Sequence, residues 1–146
     1  MHDSFLKSVL EYATLNTFHL AITKNDNHIK YTVNDKNGKL VGKVGLIPIK
    51  EDNLIWIANL FVAKDYRHQG IGTQVVKLMI THGGNALTVK TDNQKAINLY
   101  KKNGFKVVAR NGEYYIMFYK TAIPSKKFRA KINKLNNAVD LMGGFE

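Results

Sequence analysis

Arg67, Gly70 and Gly72, spaced Arg67-x-x-Gly70-x-Gly72, are the residues whose types and spacing most directly imply chemistry. They lie in Val62-Ala63-Lys64-Asp65-Tyr66-Arg67-His68-Gln69-Gly70-Ile71-Gly72-Thr73, which joins an apolar run readable as a buried strand to the start of a helix. Glycines at such a junction let the main chain approach an anion closely, and the unpaired amides of the first helical turn point at it. The chemistry implied is recognition of phosphate by backbone. His68 sits inside the loop, so its amide can serve this role whatever its imidazole does. A Walker loop would need Gly-Lys-Ser/Thr after a longer loop, and a dinucleotide fingerprint would need a third spaced glycine with a downstream acid. Neither is present. Taken alone, the two glycines would also suit close packing of a helix on a sheet.

A second run bears on that choice: Thr91-Asp92-Asn93-Gln94-Lys95-Ala96-Ile97-Asn98-Leu99-Tyr100-Lys101-Lys102-Asn103-Gly104-Phe105. Asn93 is placed to cap a helix and Gly104 to end it in a left-handed conformation. The run resembles the Asn-x-x-Ala-x-x-Leu-Tyr-x-x-x-Gly-Phe sequence that follows the fifth strand in many GNAT enzymes. Arg67-x-x-Gly70-x-Gly72 likewise resembles the acyl-CoA pyrophosphate signature of that superfamily, Arg/Gln-x-x-Gly-x-Gly/Ala. The resemblance covers about residues 54–120. It implies an α/β (α+β) fold with a mixed, mostly antiparallel central sheet splayed in the middle and helices on both faces.

The resemblance also implies a function: an N-acetyltransferase that moves an acetyl group from acetyl-CoA, as co-substrate, to a primary amine of a protein, peptide or small molecule. Transfer is direct, within a ternary complex. The pyrophosphate would lie on Arg67, His68, Gln69, Gly70, Ile71, Gly72 and Thr73, and the pantetheine and thioester on backbone amides near Phe61 and Val62. Asn93 would cap the helix at the site, Ala96 would admit the pantetheine arm, and Lys102 would reach the 3′-phosphate. Tyr100 would protonate the leaving thiolate, since a phenol of pKa near 10 matches a thiolate of comparable basicity. The plainer alternatives are a Tyr100 ring packed beside Leu99 and a solvated Lys102.

The chain departs from the family pattern in two places. An alkylamine is mostly protonated at neutral pH, with on the order of one molecule in a thousand free, so transfer benefits from a base. The family often keeps a Glu on the strand before the loop, but here that stretch reads Ile57-Ala58-Asn59-Leu60. Glu51, Asp52 and Glu113 are the substitutes to consider. The family also inserts one or two helices between the first two strands to wall the acceptor, whereas this chain has only Asn25-Asp26-Asn27. An open acceptor site suits a peptide, protein or RNA. Two further readings follow: an enzyme acetylating aminoacyl-tRNA in the manner of GNAT-type toxins, and a catalytically idle GNAT-like binding or structural module.

The elements that must position these residues can be read from periodicity. Residues 3–14 place Phe5, Leu6, Val9, Leu10 and Ala13 at helical spacing behind Asp3 and Ser4. Extended stretches follow at about 17–24, 28–34 and 39–50, with Tyr31 and Val33 on one face and a turn at Asp35-Lys36-Asn37-Gly38, as in a meander. Residues 54–62 read as a central strand covered on both faces. A helix near 70–82, a strand at 85–91, a helix at 93–103 and strands near 105–110 and 114–120 complete the order. Beyond Pro124-Ser125, Phe128, Ile132, Leu135, Val139 and Met142 form the stripe of an amphipathic helix. Residues 1–122 thus read as the acyltransferase domain and 123–146 as a helical tail, one that docks on its own domain, forms a dimer contact, enters a partner's groove or lies on an anionic surface.

Composition bounds the rest. The 146 residues suit one domain, and 45% hydrophobic with 23% charged residues is a globular balance. No cysteine is present, which excludes disulfides, thiolate metal sites and a Cys nucleophile. The five histidines show no ligand spacing, so no metal is expected. No leader-like or membrane-spanning run occurs, so a cytoplasmic protein without membrane contact is expected. The net charge of +11 favours polyanions, among them CoA, RNA and acidic protein surfaces.

Overall fold

The computed structural model describes residues 19–25, 28–67 and 70–141. The helix read over 3–14 lies outside the described residues. Among the described residues, seven strands form one mixed sheet in the order β1-β2-β3-β4-β5-β7-β6: β1 (His19–Asn25), β2 (His28–Asn34), β3 (Leu40–Ile49), β4 (Leu54–Val62), β5 (Ala86–Lys90), β6 (Phe105–Asn111) and β7 (Tyr114–Tyr119). Among the described residues, three α-helices accompany them: α1 (Ile71–Thr81), α2 (Gln94–Lys102) and α3 (Lys126–Leu141). The fold is the mixed, mostly antiparallel α/β architecture read from the sequence, with its additional C-terminal helix. The described residues up to Ile47 form one compact unit with Ile57–Gly84, and Pro48–Trp56 forms another with the residues from Asn85 onward.

In the first unit, β1, β2 and β3 are a meander. Asn25 pairs with His28 across the first hairpin, so no helix intervenes between β1 and β2. Asp35 builds the second turn, accepting the amides of Asn37 and Lys39 at 2.9 Å each, while Gly38 takes φ +83°. Tyr31 and Val33 are buried on one face of β2, and Val41, Val44 and Leu46 are buried along β3. Helix α1 adds Ile71, Val75, Val76 and Met79, the one-sided spacing of an amphipathic helix.

In the second unit, β4 runs parallel to β5 with Trp56 opposite Ala86, and β7 pairs antiparallel with β5 and β6. Side chains alternate across this sheet. Ile116 and Phe118 of β7 join Leu54, Ala86 and Ala109 under Phe128 and Ile132 of α3. Tyr119, on the other face, stacks edge-on with Phe105, which in turn meets Tyr100 of α2. Helices α2 and α3 therefore cover opposite faces. Ser125 caps α3, its hydroxyl accepting the Phe128 amide at 3.1 Å.

Strand β4 differs from the expectation of cover on both faces. Leu54 and Ile57 are its buried residues, while Asn59 and Phe61 are exposed. The reason is local: Asn59 adopts φ +57°, which breaks the alternation of a regular strand.

Candidate functional site

The candidate phosphate loop belongs to the first unit. From the end of β4 the chain makes a single tight turn over Lys64–Tyr66, with the Tyr66 and Arg67 amides donating to the Ala63 and Lys64 carbonyls. Gly70 then enters α1 at φ +79°, ψ 6°, a left-handed conformation that favours glycine. A Cβ on Gly70 would meet nothing within 4 Å, so the space above the helix start is open. The helical ladder begins with the Gln74 amide donating to the Gly70 carbonyl at 3.1 Å. The amides of Ile71, Gly72 and Thr73 precede it and have no partner among the described residues. No acidic residue stands in the first turn to compete for them. This donor set fits a pyrophosphate.

Arg67 is exposed, and its Nε donates to the Val62 carbonyl at 2.9 Å, tying the loop back to β4. Val62 is half-buried and Phe61 is 36% exposed. His68 and Gln69 lie outside the described residues. Gly42 of β3 is required beside Phe61, because a Cβ there would lie 2.9 Å from the Phe61 carbonyl oxygen.

A network that sequence reasoning missed holds the loop from behind. The Tyr66 hydroxyl donates to Asp35 Oδ2 at 2.7 Å, and Lys39 Nζ meets Asp65 Oδ2 at 2.6 Å. These bonds fasten the β2–β3 turn to the turn that leads into Arg67 and Gly70. The Tyr66 hydroxyl, followed by the Lys39 amide, holds the Asp35 carboxyl below its ordinary pKa. The Lys39 ammonium does the same for Asp65. Only Asp35 carried a signal, as the first residue of a turn; its partner is 31 residues away and no local pattern links them.

Helix α2, in the second unit, carries the other predicted residues. Asn93 caps it, its Oδ1 accepting the Ala96 amide at 3.2 Å. Ala96 is half-buried and Lys102 is exposed in the last turn, where its charge also suits the helix dipole. Gly104 follows at φ +96°, ending the helix as its type suggests. Tyr100 is 8% exposed, its ring 6.1 Å from that of Phe105 and inclined at 67°. Burial pushes its phenol above the ordinary value. Its hydroxyl has no hydrogen-bond partner among the described residues. The ring packs as a core residue.

Asn59 is an exposed residue of β4, in the stretch Ile57-Ala58-Asn59-Leu60 that carries no carboxylate. Its left-handed backbone is one that Asn adopts at little cost and a longer side chain does not. Among the described residues, no three His, Asp or Glu side chains converge to hold a metal, and no helix is long and apolar enough to cross a membrane.

The GNAT acetyltransferase family profile matches residues 3–105. The chain belongs to the GNAT acetyltransferase family. It is 36% identical over 83 residues to the Xenopus tropicalis protein named "Probable N-acetyltransferase camello", covering 52% of this chain and 38% of that protein. The Xenopus laevis protein of the same name is 40% identical over 75 residues, 47% of this chain and 34% of that one. The chain thus spans well under half the length of these relatives. Among solved structures it is similar to the PaiA N-acetyltransferase of Thermoplasma acidophilum, determined in complex with coenzyme A. There the TM-score is 0.53 at 26% identity, covering 64% of this chain and 61% of that one.

Proposed function

We propose that this chain is an acetyl-CoA-dependent N-acetyltransferase acting on a primary amine of a protein, peptide or small molecule. The observation that carries this reading is the start of α1. Three amides without a partner among the described residues follow a left-handed glycine whose Cβ position is open, with no acid in the first turn, in a chain of the GNAT family. Ile71, Gly72 and Thr73 would bind the pyrophosphate by backbone, with the terminal nitrogens of Arg67 alongside. Lys102 would reach the 3′-phosphate, and the β4 backbone near Phe61 and Val62 would lie along the pantetheine. Acetyl-CoA would supply the thioester whose carbonyl carbon the neutral amine attacks; the nitrogen then gives up its extra proton to solvent as the carbon–sulfur bond breaks. Tyr100 would hand its phenolic proton to the departing sulfur, a role favoured by a hydroxyl with no partner among the described residues on a buried ring.

A second reading, a coenzyme A-binding domain that does not turn over, is favoured by one observation: β4 offers Asn59 in place of a carboxylate. Calorimetric titration of coenzyme A and acetyl-CoA into the protein and its Gly70→Glu variant tests the binding half. Saturable binding that the variant abolishes supports the site; no binding to folded protein refutes it. Acetylation of an amine panel, with Tyr100→Phe lowering kcat by about a hundredfold, separates the enzyme from the idle domain.

A further inference from the structure

Within the second unit, on the sheet face opposite Tyr100, a groove of about 390 Å³ runs beside α3. Ile116 and Ile132 are buried in its lining, Trp56 is half-buried, and Tyr114 and Lys131 are exposed at its lip, Tyr114 at 44%. Its volume lies toward the small end of ligand sites, roughly 300–1,000 Å³. Acetyl transfer as proposed above uses none of these residues. The β6–β7 turn and α3 also lie beyond residue 105, where the family match ends.

The charge beside the groove is one-sided. Lys127, Lys131 and Lys134 recur at i, i+4 and i+7, so they share one flank of α3, the flank that Lys131 brings to the groove. All three are exposed, and none has a carboxylate partner among the described residues. Lys131 Nζ stands 5.8 Å from the Phe128 ring centroid. From Lys126 to Asn137 the helix carries no acidic residue, and the acid nearest in sequence to the lining is Glu113, in the turn before Tyr114. An anionic partner with an apolar anchor would complement both features.

We infer that this groove docks an acidic protein segment, one bulky apolar side chain entering between Tyr114 and α3 while flanking carboxylates meet Lys127, Lys131 and Lys134. A single-stranded nucleic acid is the competing polyanion, but it binds by stacking bases on open aromatic faces. Here Tyr114 is the one exposed aromatic ring in the lining, Trp56 is half-buried and Phe128 buried, and the remaining apolar lining is the aliphatic Ile116, Ile132 and Leu135, with Thr88 and Asn111 the neutral polar side chains. Such a surface removes an apolar side chain from water and leaves the hydrogen-bonding edges of a base unmet.

Trp56 is the sole tryptophan of the chain and lines the groove, so its fluorescence reports occupancy directly. The probe is a labelled peptide with one phenylalanine set among four glutamates, titrated by anisotropy and by Trp56 emission. Saturable binding with a Trp56 change is expected. It should weaken about tenfold in Lys131→Glu, a shift of about 1.4 kcal/mol, and be lost when the peptide's phenylalanine becomes alanine. Arg129→Glu makes the same charge change on the other flank of α3 and should cost at most about twofold. Both positions are exposed, and circular dichroism checks that the variants fold. Three results would overturn the inference: no binding to folded protein, equal loss in the two reversals, or tighter binding of an oligouridylate of matched charge.

Discussion

Phe128→Ala is the substitution that asks whether α3 is a tail or part of the core. Phe128 is 8% exposed; its ring centroid lies 5.8 Å from that of Trp56 and 6.0 Å from that of Phe118. Removing a buried phenyl ring costs about 3–5 kcal/mol, the upper values arising where a sealed cavity remains. Here the adjoining groove of about 390 Å³ is open, so the site can hydrate and relax, and the lower end applies. With a urea m-value of about 1.5 kcal/mol/M, a loss of about 3 kcal/mol lowers the midpoint by about 2 M. Trp56 emission follows the transition, because the lost ring packs edge-on against the indole. Lys126→Ala, on the exposed side of α3, should move the midpoint by less than about 0.3 M. A Phe128→Ala shift no larger than that of the control, with unchanged Trp56 emission, would show that α3 contributes nothing to the unit and that the core assignment is wrong.

Asn93→Ala removes the side-chain cap of α2 and should destabilise the protein by about 1 kcal/mol in thermal unfolding, with Asn93→Asp close to neutral. Tyr66→Phe deletes the bond to Asp35 behind the phosphate loop; coenzyme A affinity should fall several-fold by titration calorimetry while circular dichroism stays unchanged. Asp35 and Asp65 have folded-state pKa values below their unfolded ones, so their stabilisation is present above about pH 4 and is lost as pH falls through the lowered values. Urea midpoints measured from pH 5 to 2.5 should therefore drop for the native chain and drop less for Asp35→Asn.

The sequence made the elements legible because each carries its own punctuation: Gly70 at a left-handed helix entry, Asn93 as a cap, Gly104 as a stop, and Ser125 ahead of the last helix. The candidate phosphate loop could be read for a related reason: the groups that would serve as donors are backbone amides, whose positions follow from where α1 begins rather than from distant partners. What stayed hidden is non-local. The Tyr66–Asp35 and Lys39–Asp65 bonds join segments with no shared periodicity. The groove beside α3 depends on how far Phe128 and Ile132 sink between Trp56 and Ile116, which a helical stripe does not specify. Exposure along β4 was misjudged because nine nearly continuous apolar residues look the same with or without a left-handed Asn59 in their midst.

That asparagine has a kinetic consequence. A carboxylate base with a pKa near 6–7 would make the rate level off above neutrality, since the amine would then lose its proton within the complex. If the proposed transfer holds, with Asn59 in that stretch of β4 and the Tyr100 hydroxyl as the proposed proton donor, the amine would have to arrive already neutral. The logarithm of kcat/KM should then rise with a slope near one from about pH 7 to 9 for an amine of pKa about 10. The descending limb reports the proton donor. Burial holds the Tyr100 phenol above its ordinary value of 10.0, so activity should persist past pH 10 before it falls. Tyr100→Phe should lower the whole profile without moving the ascending limb, because that limb belongs to the substrate. A plateau beginning below pH 8 would refute this reasoning and point to a carboxylate elsewhere. Glu51→Gln, Asp52→Asn and Glu113→Gln would then identify it by which substitution restores the unit slope.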